Sequence, residues 1–281
     1  MNRALFRERL EGAVVTKGAA LCVGLDPDLT KIPAGLGQGL EAVRRHTLAI
    51  VEATAPYAAA FKPNLAFFER LGAPGFELLI EVVKVAGRHA LVIADGKRGD
   101  IGSTAVAYAE AIFDVIGADA CTVNGYLGHD SVLPFLDRPG RFAFILCRTS
   151  NPGAADFQDL VVQEGGRPLY LHVASRAAEW NSEGTVGLVA GATWPAEISR
   201  IREAAPDLPL LLPGVGAQGA DVVAAVQAAQ GNDGQGRYLI SSSRAISQAS
   251  SGPEFAEAAA DAARVLSDQI RAAARTRSGS R

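Results

Sequence analysis

Eight short apolar runs punctuate the chain, at residues 20–26 (ALCVGLD), 57–64 (YAAAFKPN), 90–97 (ALVIADGK), 120–125 (ACTVNG), 142–150 (FAFILCRTS), 186–193 (VGLVAGAT), 208–216 (LPLLLPGVG) and 237–244 (RYLISSSR). They are continuous rather than alternating, which predicts strands buried on both faces and hence a parallel sheet. Stretches with helical periodicity separate them, at 39–55, 75–90, 103–117, 128–136, 168–183, 195–205 and 219–230, and a last one follows from Pro253. Strict alternation of strand and helix predicts an α/β fold. Eight units over some 250 residues fit a single-domain (β/α)8 TIM barrel spanning residues 1–281, with a doubly wound open sheet as the main rival. No linker, charge run or shift of composition divides the chain. The basic end, about residues 274–281, reads as a frayed tail.

Composition narrows the class. Twenty-seven basic and 30 acidic residues leave a net charge of −3, which argues against a nucleic-acid binder. Glycine, 30 of 281 residues, exceeds the usual share of about 7% and suits many tight strand-to-helix turns. The N-terminal stretch MNRALFRERLEGAV is amphipathic and lacks an apolar signal core. No apolar run reaches the roughly 18 residues a membrane span needs. A cytoplasmic protein without membrane attachment is expected. Cys22, Cys121 and Cys147 each lie in an apolar run, as buried reduced thiols do. His46, His89, His129 and His172 are scattered, so no metal site is expected. Trp180 and Trp194 read as core residues.

In a barrel the chemistry gathers where strands end. Here the strand ends are polar: Asp26 after the first run, Lys62 and Asn64 at the second, Asp95 and Lys97 at the third, Thr149 and Ser150 at the fifth. Strand residues two apart share a face, so Asp95 and Lys97 should enter the mouth together. Asp100 follows in the turn, and its simplest structural role is to complement the dipole of the next helix. Buried charges need partners. With Lys62 on the neighbouring strand, two lysines and two aspartates balance. Such an array holds a lysine ammonium between carboxylates and suits proton donation to a carbanion. It suits a Schiff base poorly, since that chemistry wants a neutral amine.

GVGAQG at 214–219 matches a dinucleotide-binding pattern, but it follows the seventh strand rather than the first, against a nicotinamide-dependent oxidoreductase. In barrels the loops after strands seven and eight often hold a phosphate through backbone N–H groups. Arg244, just past strand eight, adds a charged fork. A plainer reading has these glycines serving tight turns alone. Asp26, in GLDPD, could accept bonds from a sugar hydroxyl or simply form the turn before Pro27.

The motifs LCVGLDPD, FKPN, ADGKRGDIGSTA, TVNGYLG, RTSNPG, PGVGAQG and SSSRAI run along nearly the whole chain. Together they resemble the orotidine 5′-phosphate decarboxylases, in a subgroup found in some bacteria. The resemblance implies a cofactor-independent decarboxylase making UMP, the last step of pyrimidine nucleotide synthesis. It implies that Lys62, Asp95, Lys97 and Asp100 form the family's catalytic array, with Lys97 protonating C6 of the pyrimidine and Asp95 beside the substrate carboxylate. It implies that Asp26 and Lys62 hold the ribose, that Ser150 contacts the pyrimidine edge, and that Gln218 and Arg244 grip the phosphate. Gly216 and Ser243 belong to the same phosphate loops, and Asn64 lies at the rim. The resemblance further implies a homodimer, with Asp100 and Thr104 reaching the partner's site. Gly125 stands where the family often has proline, and Gln218 lacks an obvious tyrosine partner in its short loop. Two alternatives remain at this stage: a magnesium-dependent phosphosugar decarboxylase that shares DxKxxD, and a catalytically silent nucleotide-binding barrel.

Overall fold

A computed structural model describes residues 6–215, 221–231 and 237–276. Eight parallel strands close into a barrel: β1 (Leu21–Leu25), β2 (Ala60–Pro63), β3 (Leu91–Arg98), β4 (Ala120–Val123), β5 (Phe142–Arg148), β6 (Val186–Ala190), β7 (Leu210–Pro213) and β8 (Tyr238–Ser242). Each pairs with its neighbours in sequence, and β1 closes the ring on β8. The open-sheet rival is thereby excluded. The predicted strands are all present, most of them shorter than the apolar runs at one or both ends, while β3 runs one residue further, to Arg98.

The continuous apolar character of the strands has two destinations. One set of side chains packs under the surrounding helices. The other fills the barrel itself, where small residues (Cys22, Ala60, Ala120) offset large ones (Ile93, Phe142, Phe144, Leu211, Leu239). The floor is closed by α1 (Phe6–Lys17), whose Phe6 and Leu10 lie one turn apart on the face turned to the barrel. The Phe6 ring stacks on Phe142 at 4.5 Å and meets Phe144 edge-on at 6.2 Å. Arg9 pairs with Asp119 at 2.8 Å, and Asp119 also accepts the Val92 N–H at 3.0 Å. Helix α1 is thus part of the core. All three cysteines are free and buried.

The outer ring comprises α2 (Gly39–Thr54), α3 (Leu65–Glu69), α4 (Ala73–Ala86), α5 (Gly102–Glu110), α6 (His129–Leu136), α7 (Leu169–Glu179), α8 (Pro195–Ala204), α9 (Val222–Ala229), α10 (Arg244–Ser247) and α11 (Phe255–Thr276). Helix α3, right after β2, is one the hydrophobic pattern did not separate. The helix predicted over 103–117 is α5 followed by a π-helical segment, Ala111–Ile116, that stops at Gly117 with φ +83°. Helix α11 continues through Thr276, past the expected start of the tail near residue 274; residues 277–281 lie outside the described ones. Buried Arg202 of α8 donates to the carbonyls of Pro206, Leu208, Ala229 and Arg237 at 2.8–3.0 Å. One guanidinium therefore ties α8 and α9 to the entries of β7 and β8. Among the described residues no helix is long and apolar enough to cross a membrane.

Candidate active site

Strand ends of β1 to β3 deliver the charged groups to one rim, and β4 adds the hydroxyl of Thr122. Asp95 on β3 is the centre. Its Oδ2 takes the Lys62 ammonium at 2.6 Å and its Oδ1 takes the Lys97 ammonium at 2.6 Å. Thr122 Oγ1 on β4 donates to the same Oδ1 at 2.8 Å and accepts the Lys97 N–H at 3.0 Å. Lys62 and Asp95 are buried, their side chains 7% and 9% exposed, whereas Lys97 is 47% exposed and faces the opening. The strand is not regular here. Ala94 pairs with Cys121 and Arg98 with Val123, so four steps along β3 match two along β4. That bulge contains Lys97, whose φ is +46°. The i, i+2 expectation for Asp95 and Lys97 reaches the right neighbours, but a bulge rather than strand alternation brings them together.

Electrostatics follow from this geometry. Burial disfavours the Lys62 ammonium, but Asp95 and Asp26 outweigh burial and hold its pKa above the ordinary lysine value. Burial likewise disfavours the Asp95 carboxylate, and Lys62 and Lys97 outweigh it and hold the pKa well below the usual carboxylate range. Burial pushes the thiol of Cys22, inside the barrel, up to about 12, so it adds no charge at neutral pH. The sign of the linkage is set by these directions. Asp95, depressed when folded, stabilises the fold above its ordinary value of 3.8 and loses that contribution as pH falls further. Lys62, raised when folded, stabilises below its ordinary value of 10.5 and loses that contribution as pH rises through its folded value. Urea titrations of wild type and Asp95→Asn should therefore show a stability gap that is constant near neutrality and narrows as pH drops below 3.8. A gap that widens in acid would contradict the assignment.

The other expected site residues fall into three groups. Asp26, Asn64, Ser150, Ser243 and Arg244 all lie at strand ends. Asp26 Oδ1 and Ser243 Oγ are buried without a hydrogen-bond partner among the described residues, a state that costs free energy unless a ligand or water completes it. Asn64 is the N-cap of α3, its Oδ1 accepting the Ala66 N–H at 3.3 Å. Arg244 opens α10 and is exposed. Gly216 and Gln218 lie outside the described residues. Asp100 and Thr104 stand apart from the array: Asp100 accepts its neighbour Ile101's N–H at 2.8 Å and makes no ion pair among the described residues, and Thr104 is exposed on α5. Within one chain, Lys62, Asp95 and Lys97 form a contiguous line, and the fourth member of the expected array, Asp100, lies apart from it.

Several contributors escaped the sequence reading. Thr122 is one, since a lone threonine inside an apolar run carries no signal of its own. Two glycines are others. A Cβ on Gly24 would sit 2.6 Å from Ser243 Cβ, and one on Gly191 would sit 2.9 Å from three atoms of Ser150. Gly125 is likewise close-packed, since a Cβ there would meet Ile145 at 3.0 Å; its turn is held by Asn124 Oδ1, which accepts the Tyr126 N–H at 3.0 Å. Arg148, buried at the end of β5, grips Asp159 at 3.0 and 2.9 Å and lies 4.6 Å over the Trp194 ring. Trp194 is partly exposed beneath that guanidinium, not core as expected. Gln158 accepts the Thr149 N–H at 2.7 Å. These contacts pin the segment that carries Ser150. Among the described residues no three His, Cys, Asp or Glu side chains converge as a metal-ligand set.

Fold and site together define a (β/α)8-barrel enzyme whose C-terminal mouth carries an ammonium–carboxylate–ammonium line, buried at Lys62 and Asp95 and open at Lys97. The model of the orotidine 5′-phosphate decarboxylase / HUMPS family matches residues 19–259. The chain is 47% identical over 266 residues to the orotidine 5′-phosphate decarboxylase of Thermomicrobium roseum, covering 94% of each chain. It is 48% identical to that of Roseiflexus castenholzii, covering 96% of this chain and 98% of the relative. Among solved structures, Leishmania donovani OMP decarboxylase superposes with a TM-score of 0.84 at 39% identity, covering 96% of this chain and 99% of that one. A Toxoplasma gondii protein described as a putative orotidine-monophosphate decarboxylase gives 0.86 at 35% identity, covering 98% and 99%. The chain belongs to the orotidine 5′-phosphate decarboxylase / HUMPS family, and within it to the carboxy-lyases.

Proposed function

We propose that the protein converts orotidine 5′-phosphate to UMP and CO2 in the cytoplasm, without a cofactor, as a step of pyrimidine nucleotide synthesis. The observation that carries this reading is the single buried carboxylate of Asp95 clamped between Lys62 and Lys97, with only Lys97 open to the mouth. The bond between C6 and the carboxylate breaks, CO2 leaves, and the electron pair stays on C6. The Lys97 ammonium gives that carbon its proton and recovers one from solvent. With no electron sink in the ring position, stabilisation comes from charges already in place. Asp95 keeps the ammonium oriented, and Lys62 keeps Asp95 ionised and fixed.

Remote contacts supply binding energy to the reacting centre. Asp26 and Lys62 receive the ribose hydroxyls, the unpartnered Asp26 Oδ1 being available for one. Ser150 receives the pyrimidine edge. Arg244, Ser243, Gly216 and Gln218 receive the phosphate, with Asn64 at the rim. Asp100 and Thr104 serve the site of a second copy in a homodimer. Supporting that placement, Ile101 before α5, Val106 and Tyr108 on α5, Tyr126 and Leu127 in the turn Gly125–Leu127, and Leu133 on α6 are exposed, and α5 packs against α6. The test is an ultraviolet assay on orotidine 5′-phosphate with and without EDTA. Rapid loss of substrate absorbance, equal in both, is the expected result. Turnover abolished by EDTA would point instead to metal-assisted chemistry, and no turnover by folded protein would reject the substrate.

A further inference from the structure

Lys97 occupies a backbone conformation that L-residues avoid. It is the one non-glycine residue with positive φ among those described, at +46°. Such a state persists only where the surroundings hold it. Its N–H donates to Thr122 Oγ1 at 3.0 Å. Thr122 is itself 1% exposed, on the strand facing the bulge. A threonine hydroxyl has one proton to give, and an ionised carboxylate can only accept. The 2.8 Å contact to Asp95 Oδ1 therefore uses the hydroxyl proton, and a lone pair takes the Lys97 N–H. One buried hydroxyl thus joins the backbone of the proton donor to the carboxylate that orients its ammonium. Asp95 is held at both oxygens, by Lys62 on Oδ2 and by Lys97 and Thr122 on Oδ1.

We infer that Thr122 is a positioning residue for proton delivery: it keeps Lys97 in its left-handed bulge and Asp95 in one rotamer, so that the ammonium stands where the carbanion forms. This rests on the decarboxylase reading above. It differs from a packing role, because the two hydrogen bonds, not the volume of the side chain, perform it.

The test compares Thr122→Val, which keeps shape and loses the hydroxyl, with Thr122→Ser, which keeps the hydroxyl. Thr122→Ala serves as a second hydroxyl-free variant in case valine prevents folding. For the hydroxyl-free variants kcat should fall about 10- to 100-fold, the scale of a misplaced reacting group. Their KM for orotidine 5′-phosphate and Kd for UMP should stay within about threefold, and serine should restore kcat to within about threefold. Unchanged kcat in a folded hydroxyl-free variant overturns the inference. So does a loss that appears equally in KM and UMP affinity, or one that serine fails to restore. A crystal structure of a hydroxyl-free variant tests it independently of turnover. Lys97 should leave the φ region near +46° or its ammonium should leave Asp95; an undisturbed Lys97–Asp95 contact at the same φ overturns it. Wild-type protein that turns over no orotidine 5′-phosphate would reject the substrate instead, and the structural arm would still decide the role of Thr122.

Discussion

Replacing Lys97 with alanine is expected to lower kcat on orotidine 5′-phosphate by at least about 10^4-fold, combining the loss of a general acid with the loss of a fixed charge at the reacting carbon. The barrel should survive the change. The Lys97 side chain is 47% exposed, so its removal opens no cavity in the core. Asp95 keeps the Lys62 ammonium on one oxygen and the Thr122 hydroxyl on the other, so no buried charge is left alone. Lys62 makes a poorer test: it is 7% exposed, and its removal would strip a buried carboxylate of its buried partner and mix folding with catalysis. Far-ultraviolet circular dichroism and the absorbance assay separate the two. Residual turnover within about 100-fold of wild type would exclude Lys97 as the proton donor.

Asp100 is expected to act in trans. Asp100→Asn and Lys97→Ala should each be nearly inactive alone. Co-expressed with separable tags, they should regain activity in the mixed dimer. If Asp100 serves the neighbouring subunit's site, one site of each mixed dimer pairs an intact Lys97 with an intact Asp100 from its partner, and the other site lacks both. Random pairing makes about half the dimers mixed, so the pool should recover about a quarter of wild-type activity. The structure motivates the experiment directly, since Asp100 makes no ion pair with the array of its own chain among the described residues and its carboxylate meets only the adjacent Ile101 N–H. Helix α5, which begins two residues after Asp100, packs against α6, and both carry exposed apolar side chains, Val106 and Tyr108 on α5 and Leu133 on α6. A purified mixed dimer no more active than its parents would place Asp100 in its own subunit's site or outside catalysis. A mixture that stays monomeric on sizing would remove the trans reading altogether.

The barrel was legible in the chain because its information is local. Eight runs apolar on both faces can be buried only in a parallel sheet covered by helices, and their spacing matches their number. The polar residues ending those runs mark the mouth for the same reason: the apolar side chains of the runs offer charged groups such as Asp26, Lys62, Asp95 and Lys97 no partner. The sequence by itself therefore determined the fold class, the rim at which the charged groups gather and the Lys62–Asp95–Lys97 partnership.

What tertiary structure decided depends on atoms brought together from distant positions. Phe6 and Leu10 close the barrel floor only because β5 places Phe142 and Phe144 above them. Gly24 and Gly191 matter because Ser243 and Ser150 lie against them, contacts no local pattern encodes. Arg202 resembles a surface helix residue until carbonyls from the strand and helix ends converge on it. The two extra residues of β3 that set Lys97 in a left-handed turn become visible only when β3 is laid against β4, and Thr122 acquires its place between backbone and carboxylate in the same step. Hydrophobic periodicity reports which face of an element is buried; register, bulges and hydrogen bonds between elements are properties of their pairing, and pairing exists only in the folded chain.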